Sequence, residues 1–147
     1  MLAELAEAVR DERVSAHELV GLAYERIARL NGDLNAVIAL RPEEEAIAEA
    51  EKRWSSGSES DGPLPLLGLP LLVKDNTDVG GMRTTNGSRL LQDALPAERD
   101  ARVVERLRAA GAIVVGKTNV PEYSFAGFTD NSVFGPSGNP WGLEWSP

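Results

Sequence analysis

A chain of 147 residues that is 42% hydrophobic can build one domain with its own core and is too apolar to be disordered throughout. A net charge of −8 argues against direct nucleic-acid binding, which displaces counterions with clustered Lys and Arg, although another polypeptide of a complex could carry an RNA. Cysteine is absent and His17 is the only histidine, which leaves no disulfide framework, no thiolate nucleophile and no site where cysteines or histidines alone could hold a metal.

Residues 2–10 read as a short amphipathic helix. Acids from Glu4 onward interrupt MLAELAEAVRDER, so it lacks the basic start and apolar run of a signal peptide. Ser15 and Glu18 have capping-box spacing and open a second helix, with Leu19, Leu22, Ala23, Ile27 and Leu30 on one stripe. Asn31-Gly32 is expected to end it. Residues 35–40 form a plausible short strand. Pro42 then occupies the first position of a third helix, whose Glu43, Glu44 and Glu45 complement the helix dipole. SSGSESDGP (55–63) has the composition of a surface linker.

The longest apolar run, LPLLGLPLLV (64–73), has ten residues against the roughly 20 that span a bilayer, so a cytoplasmic protein without membrane contact is expected. Residues 69–73 read as a buried strand ending at Lys74. Asp100 is placed to cap a helix over 101–110, with Val103, Val104 and Leu107 inward and Gly111 as its stop. Residues 112–115 form a second buried strand. Neither strand alternates polar with apolar residues, which predicts cover on both faces, and strand–helix–strand in this style implies a layered α/β domain. From Thr129 the chain is loop-like, with Gly135, Pro136, Gly138 and Pro140.

Gly111 to Thr118 satisfies the phosphate-loop pattern G-x-x-x-x-G-K-T. Its middle residues, Ala112, Ile113, Val114 and Val115, favour the strand itself, so their N–H groups belong to a sheet ladder and cannot cradle phosphate. Pro121 also disfavours the helix that should follow.

Lys74 leaves an apolar strand at its carboxyl end, where ligand crevices of α/β sheets open. Taken alone, it is more simply a strand-end lysine, snorkelling to water or paired with Asp75. A desolvated lysine there could instead be neutral and take a proton from a serine hydroxyl, as in Ser–Lys nucleophilic catalysis.

Three segments read in order weigh against the plainer reading: GLPLLVKDNTDVGGMRTTNGS (68–88), DARVVERLRAAGAIVVGKTN (100–119) and FGPSGNPW (134–141). Together with residues 15–40 they closely resemble the amidase signature family. The resemblance implies a layered α/β/α fold with a mixed, largely buried central sheet, of which 1–147 would be the N-terminal part. It implies hydrolysis or transfer of a small-molecule amide through an acyl-enzyme, with no cofactor. The family's catalytic set is a nucleophilic serine, a bridging second serine and a lysine, and Lys74 in VKDN matches the lysine. Both serines belong to a Gly/Ser-rich segment that in the family follows the stretch matching Trp145-Ser146-Pro147, so the chain as written is expected to be inactive alone. VPEYSFAG (120–127) is implied to line the acyl pocket, with Ser124, Phe125 and Ala126 facing substrate; the plainer alternative makes Tyr123 and Phe125 core.

Other candidates are weaker. Ser88 sits in a TTNGS turn, Ser146 lies next to the last residue, and neither has a nucleophile-elbow motif. His17 falls in a helical first turn beside a capping glutamate. Asn119 and Asn131 are read as ties holding the 120–141 loop, and Trp141 as its buried anchor. The first functional reading is an amidase acting on an apolar carboxamide, suited to Phe125-Ala126-Gly127-Phe128. The alternatives are the A subunit of a tRNA-dependent amidotransferase and a non-catalytic fragment or split half; the partners expected are a second copy in a homodimer or, for the A subunit, the other amidotransferase subunits.

Overall fold

Apolar β-branched residues make Ile113–Thr118 (β3) the centre of the sheet in the computed structural model, which describes residues 2–57, 64–143 and 145–147. β3 pairs in parallel with Pro70–Lys74 (β2) and antiparallel with Val37–Leu40 (β1), in the order β1-β3-β2. The β2 ladder slips register just before Gly116 and the β1 ladder slips opposite Lys117–Thr118; at Gly116 the Ala39 carbonyl comes so close that a Cβ would sit 2.3 Å from its oxygen. Glycine is therefore required at that crossing.

Helices cover both faces. Leu2–Arg10 (α1), Ala16–Leu34 (α2) and Glu43–Gly57 (α3) bury Val9, Val20, Tyr24, Ala46 and Ala50 against Ile113 and Val115. On the opposite face Arg102–Ala109 (α4) contributes Val104 to a cluster with Val73, Val79 and Val114. The expected α/β layering and mixed sheet are thus present. Among the described residues no helix is long and apolar enough to cross a membrane.

Local chemistry explains the agreements and the departures. The capping box forms: Ser15 Oγ accepts from the Glu18 N–H, and Glu18 accepts from the Ser15 N–H at 2.9 Å. Asn31-Gly32 does not end α2. Asn31 instead brackets the chain beyond the helix, its Oδ1 accepting from the N–H groups of Ala36 and Val37, and the helix closes at Asn35 in the left-handed conformation. The buried stripe is centred on Ala16, Val20 and Tyr24, while Leu22 and Leu30 are exposed. Tyr24 turns inward because its hydroxyl finds the carbonyls of Arg41 and Val115.

Pro42 lies just outside α3, its carbonyl accepting the first helical bond from Ala46. α3 continues through residues 55–57 of the expected linker; 58–63 lie outside the described residues. Asp100 does not cap α4. It accepts from the Gly80 N–H at 2.7 Å and pairs with Arg108 at 2.9 Å, which leaves Ala101 at the cap position. Val103 points outward, because an inward Val104 carries Leu107 and Arg108 on the same face. β3 is covered on both faces as expected, whereas β2, at the sheet edge, is only half-buried.

Glu49 ties the helical layer to the sheet. It accepts from Arg41 at 2.7 Å, Arg53 at 3.0 Å and Arg108 at 2.9 Å; Arg41 also reaches the Val114 carbonyl and Arg53 the Arg108 carbonyl. Burial alone would push the Glu49 carboxyl up, but the Arg41 hydrogen bond and the charges of Arg108 and Arg41 hold it below its ordinary 4.5. A carboxylate depressed in the folded state stabilises above its unfolded pKa, and that stability is lost as pH falls through the folded value. Glu49→Ala should therefore cost about 1–3 kcal/mol near neutrality, a partly exposed version of breaking a buried pair. Unfolding midpoints of variant and wild type should converge as the pH drops below 4.5.

Candidate active site

Three consecutive residues at the carboxyl end of β2 alternate sides: Val73 is buried, Lys74 exposed and Asp75 buried. Lys74 sits opposite Thr118 in the ladder, and its carbonyl accepts from the Thr77 N–H at 3.1 Å, closing a turn. Asp75 does not pair with Lys74; it faces the interior. Nor is Lys74 desolvated as base chemistry requires, because an edge strand without a neighbour on its far side leaves its end open among the described residues.

The buried amine is Lys117. Its Nζ lies 2.9 Å from Asp75 Oδ1 and donates to the Arg83 carbonyl at 3.0 Å and to Thr84 Oγ1 at 2.8 Å. The two side chains are 0% and 1% exposed. Asp75 also accepts from the backbone N–H and hydroxyl of Thr85. The ladder that occupies residues 113–118 confirms that this glycine–lysine run is sheet and not a phosphate cradle. Sequence reasoning ends the strand at Val115 and so misses the lysine. The signal is present: if 112–115 is buried strand, the next residues continue it, and a lysine there needs an internal acid.

The segment 120–128 leaves β3 and turns in front of the β2 end. Glu122–Ser124 form a single 3-10 turn in which Tyr123 (φ 50°) and Ser124 (φ 61°) are both left-handed. Non-glycine residues adopt this region at a cost and are held in it by their surroundings. Here the Tyr123 N–H donates to the Asn86 carbonyl at 2.9 Å, and Ser124 Oγ accepts from Asn76 Nδ2 at 3.0 Å. Ser124 thus meets the Lys74-Asp75-Asn76 stretch directly. Phe125 is 91% exposed, Tyr123 is exposed and Ala126 is half-buried, so the alternative that made Tyr123 and Phe125 core does not hold here.

The asparagine ties form as expected. Asn119 Nδ2 donates to the Gly135 carbonyl and Ser137 Oγ, and its Oδ1 accepts from Asn131 Nδ2 at 2.7 Å; Asn131 Oδ1 accepts from the N–H groups of Val133 and Phe134. Trp141 is 89% exposed and is no anchor; the loop is held by Asn139 and Ser146 hydrogen bonds instead. Ser88 is fully buried, not in an open turn, because the 84–88 segment folds under the sheet end. His17 is exposed at the start of α2 and contacts Ser15.

Gly87 joins the 84–88 turn to the pocket segment. Its φ is +63°, and a Cβ would lie 2.7 Å from the Val120 carbonyl oxygen. Gly87→Ala should cost about 2 kcal/mol or more and loosen this junction. Gly127→Ala, with nothing within 4 Å of its Cβ, should leave thermal stability nearly unchanged.

These elements reproduce those of known enzymes. Residues 18–147 match the amidase family. The chain is 41% identical over 146 residues to the A subunit of glutamyl-tRNA(Gln) amidotransferase from Chromohalobacter salexigens, covering 99% of this chain and 29% of that one. The solved peptide amidase from Stenotrophomonas maltophilia superposes with a TM-score of 0.81 at 35% identity, over 97% of this chain and 30% of that one. 6-Aminohexanoate cyclic dimer hydrolase, solved with substrate, gives 0.84 at 32% identity, over 99% and 28%. The chain belongs to the amidase signature family and has that family's mixed α/β fold. It spans less than a third of the length of each of these relatives.

Proposed function

We propose that residues 1–147 are the N-terminal part of a single amidase signature domain, in a cytoplasmic enzyme that cleaves the C–N bond of a small carboxamide through an acyl-enzyme. The observation that carries this reading is the position of Lys74: it leaves the carboxyl end of β2 exposed, and two residues on, Asn76 contacts the left-handed turn at Ser124. In this reading neutral Lys74 accepts a proton from a bridging serine, which relays it from the nucleophile and returns it to the leaving amine. Both serines come from the family's Gly/Ser-rich segment. Base chemistry at Lys74 requires cover over the open end of β2, because burial disfavours a charged amine. Ser124, Phe125 and Ala126 form the wall for the acyl group, and the exposed Phe125 suits an apolar one.

A second reading is the A subunit of a tRNA-dependent amidotransferase, releasing ammonia from glutamine together with its partner subunits. The 41% identity to such a protein favours it. Turnover of simple apolar carboxamides in preference to glutamine supports the first reading; strict glutaminase activity supports the second.

In the enzyme carrying both serines, Lys74→Ala should lower kcat to well under about a tenth of wild type, a loss above ~1.4 kcal/mol, with the fold retained by circular dichroism. Retention above that level contradicts the assignment. The 147 residues alone, which supply the lysine and neither serine, should hydrolyse no carboxamide.

A further inference from the structure

We propose that Lys117 is a positioning residue for Lys74: its buried ammonium, closed on Asp75, Thr84 and the Arg83 carbonyl, fixes the end of β2 and the 84–88 turn from behind, and so aligns Lys74 with the pocket wall. The inference rests on the reading of Lys74 as the base and extends it to a second lysine.

Lys117 Nζ donates hydrogen bonds to the Arg83 carbonyl and Thr84 Oγ1 and forms an ion pair with Asp75 Oδ1 at 2.9 Å, so three groups at 2.8–3.0 Å fix its position. Two paths leave it, one through the hydrogen bond to Thr84 and one through the ion pair with Asp75. Through Thr84, whose Oγ1 reaches the Thr77 carbonyl at 3.5 Å, it braces the turn in which the Thr77 N–H holds the Lys74 carbonyl. Through Asp75 it reaches Thr85, whose hydroxyl accepts from the Gly87 N–H at 3.1 Å. The Asn86 carbonyl then holds the Tyr123 N–H, and the turn beginning there presents Ser124 Oγ to Asn76. The second path thus returns to within two residues of Lys74. Val73, not Lys74, is the ladder partner of Lys117, so Lys117 acts through the strand and does not touch the reacting atoms.

Energetics favour a directional role over a stabilising one. A buried ion pair replaced by apolar residues of similar volume is often neutral or stabilising, because desolvation offsets the attraction. Apolar residues cannot, however, aim Thr84, Thr85 and the Asp75 backbone at defined points.

The test compares Lys117→Met, Lys117→Met with Asp75→Asn, and Lys74→Ala in the full-length enzyme, reading Tm, kcat and KM. Lys117→Met alone strands a buried carboxylate and should lower Tm sharply. The double variant leaves no buried charge and should recover most of the Tm. Its kcat should stay at least about tenfold below wild type while KM changes by less than about threefold. Recovery of kcat together with Tm overturns the proposal, as does failure of the double variant to fold, which would make the pair a requirement of the fold itself. Full turnover by Lys74→Ala contradicts the base assignment whatever Lys117 does; an inactive Lys74→Ala beside a fully active double variant contradicts the positioning role alone.

Discussion

A lysine ammonium and an aspartate carboxylate, both removed from water and 2.9 Å apart, set the arrangement of everything at the open end of this sheet. Burying either charge alone would cost several kcal/mol, so the two must stay together, and the elements that carry them are locked together with them. Lys117 comes from the central strand, Asp75 from the residue after the edge strand, and Thr84 and Thr85 from the turn that folds beneath. With both partners fixed, the alternation of side chains along an extended chain leaves Lys74 only one side to face, the outer one.

Strain in front complements order behind. Two consecutive left-handed residues, Tyr123 and Ser124, stand against the β2 end, held by the Asn86 carbonyl and the Asn76 amide. Farther along, Asn119 and Asn131 replace a hydrophobic core for the 120–137 loop with a network of amide hydrogen bonds. Phe125 and Phe128, within that loop, are exposed.

Much of the fold is legible in the sequence because the deciding interactions are local. The Ser15–Glu18 box, the apolar run into Lys74 and the amphipathic 2–10 segment each depend on neighbours a few residues away. The departures share the opposite cause. Asn31, Asp100 and Val103 satisfy local turn, cap and period rules, yet their roles are decided by partners remote in space: Asn31 by the start of β1, Asp100 by Gly80 and Arg108, Val103 by the inward orientation of Val104. Trp141 has the area of an anchor, but nothing among the described residues packs over it. Lys74 is recognisable through an ordered set of motifs, whereas Lys117, hidden inside an apparent phosphate-loop pattern, needs the sheet register to be understood.

Lys117, as proposed, organises the 84–88 turn and the turn at Tyr123 rather than the core. Amide hydrogen exchange in the full-length enzyme tests it most directly. If Lys117 does so, Lys117→Met releases protection at Asn86, Gly87 and Tyr123, whose N–H groups donate to the Asp75 carbonyl, Thr85 Oγ1 and the Asn86 carbonyl, while Ile113, whose N–H donates to the Leu69 carbonyl in the sheet, keeps its own. Protection lost uniformly across β3, or unchanged at all three turn amides, would contradict it.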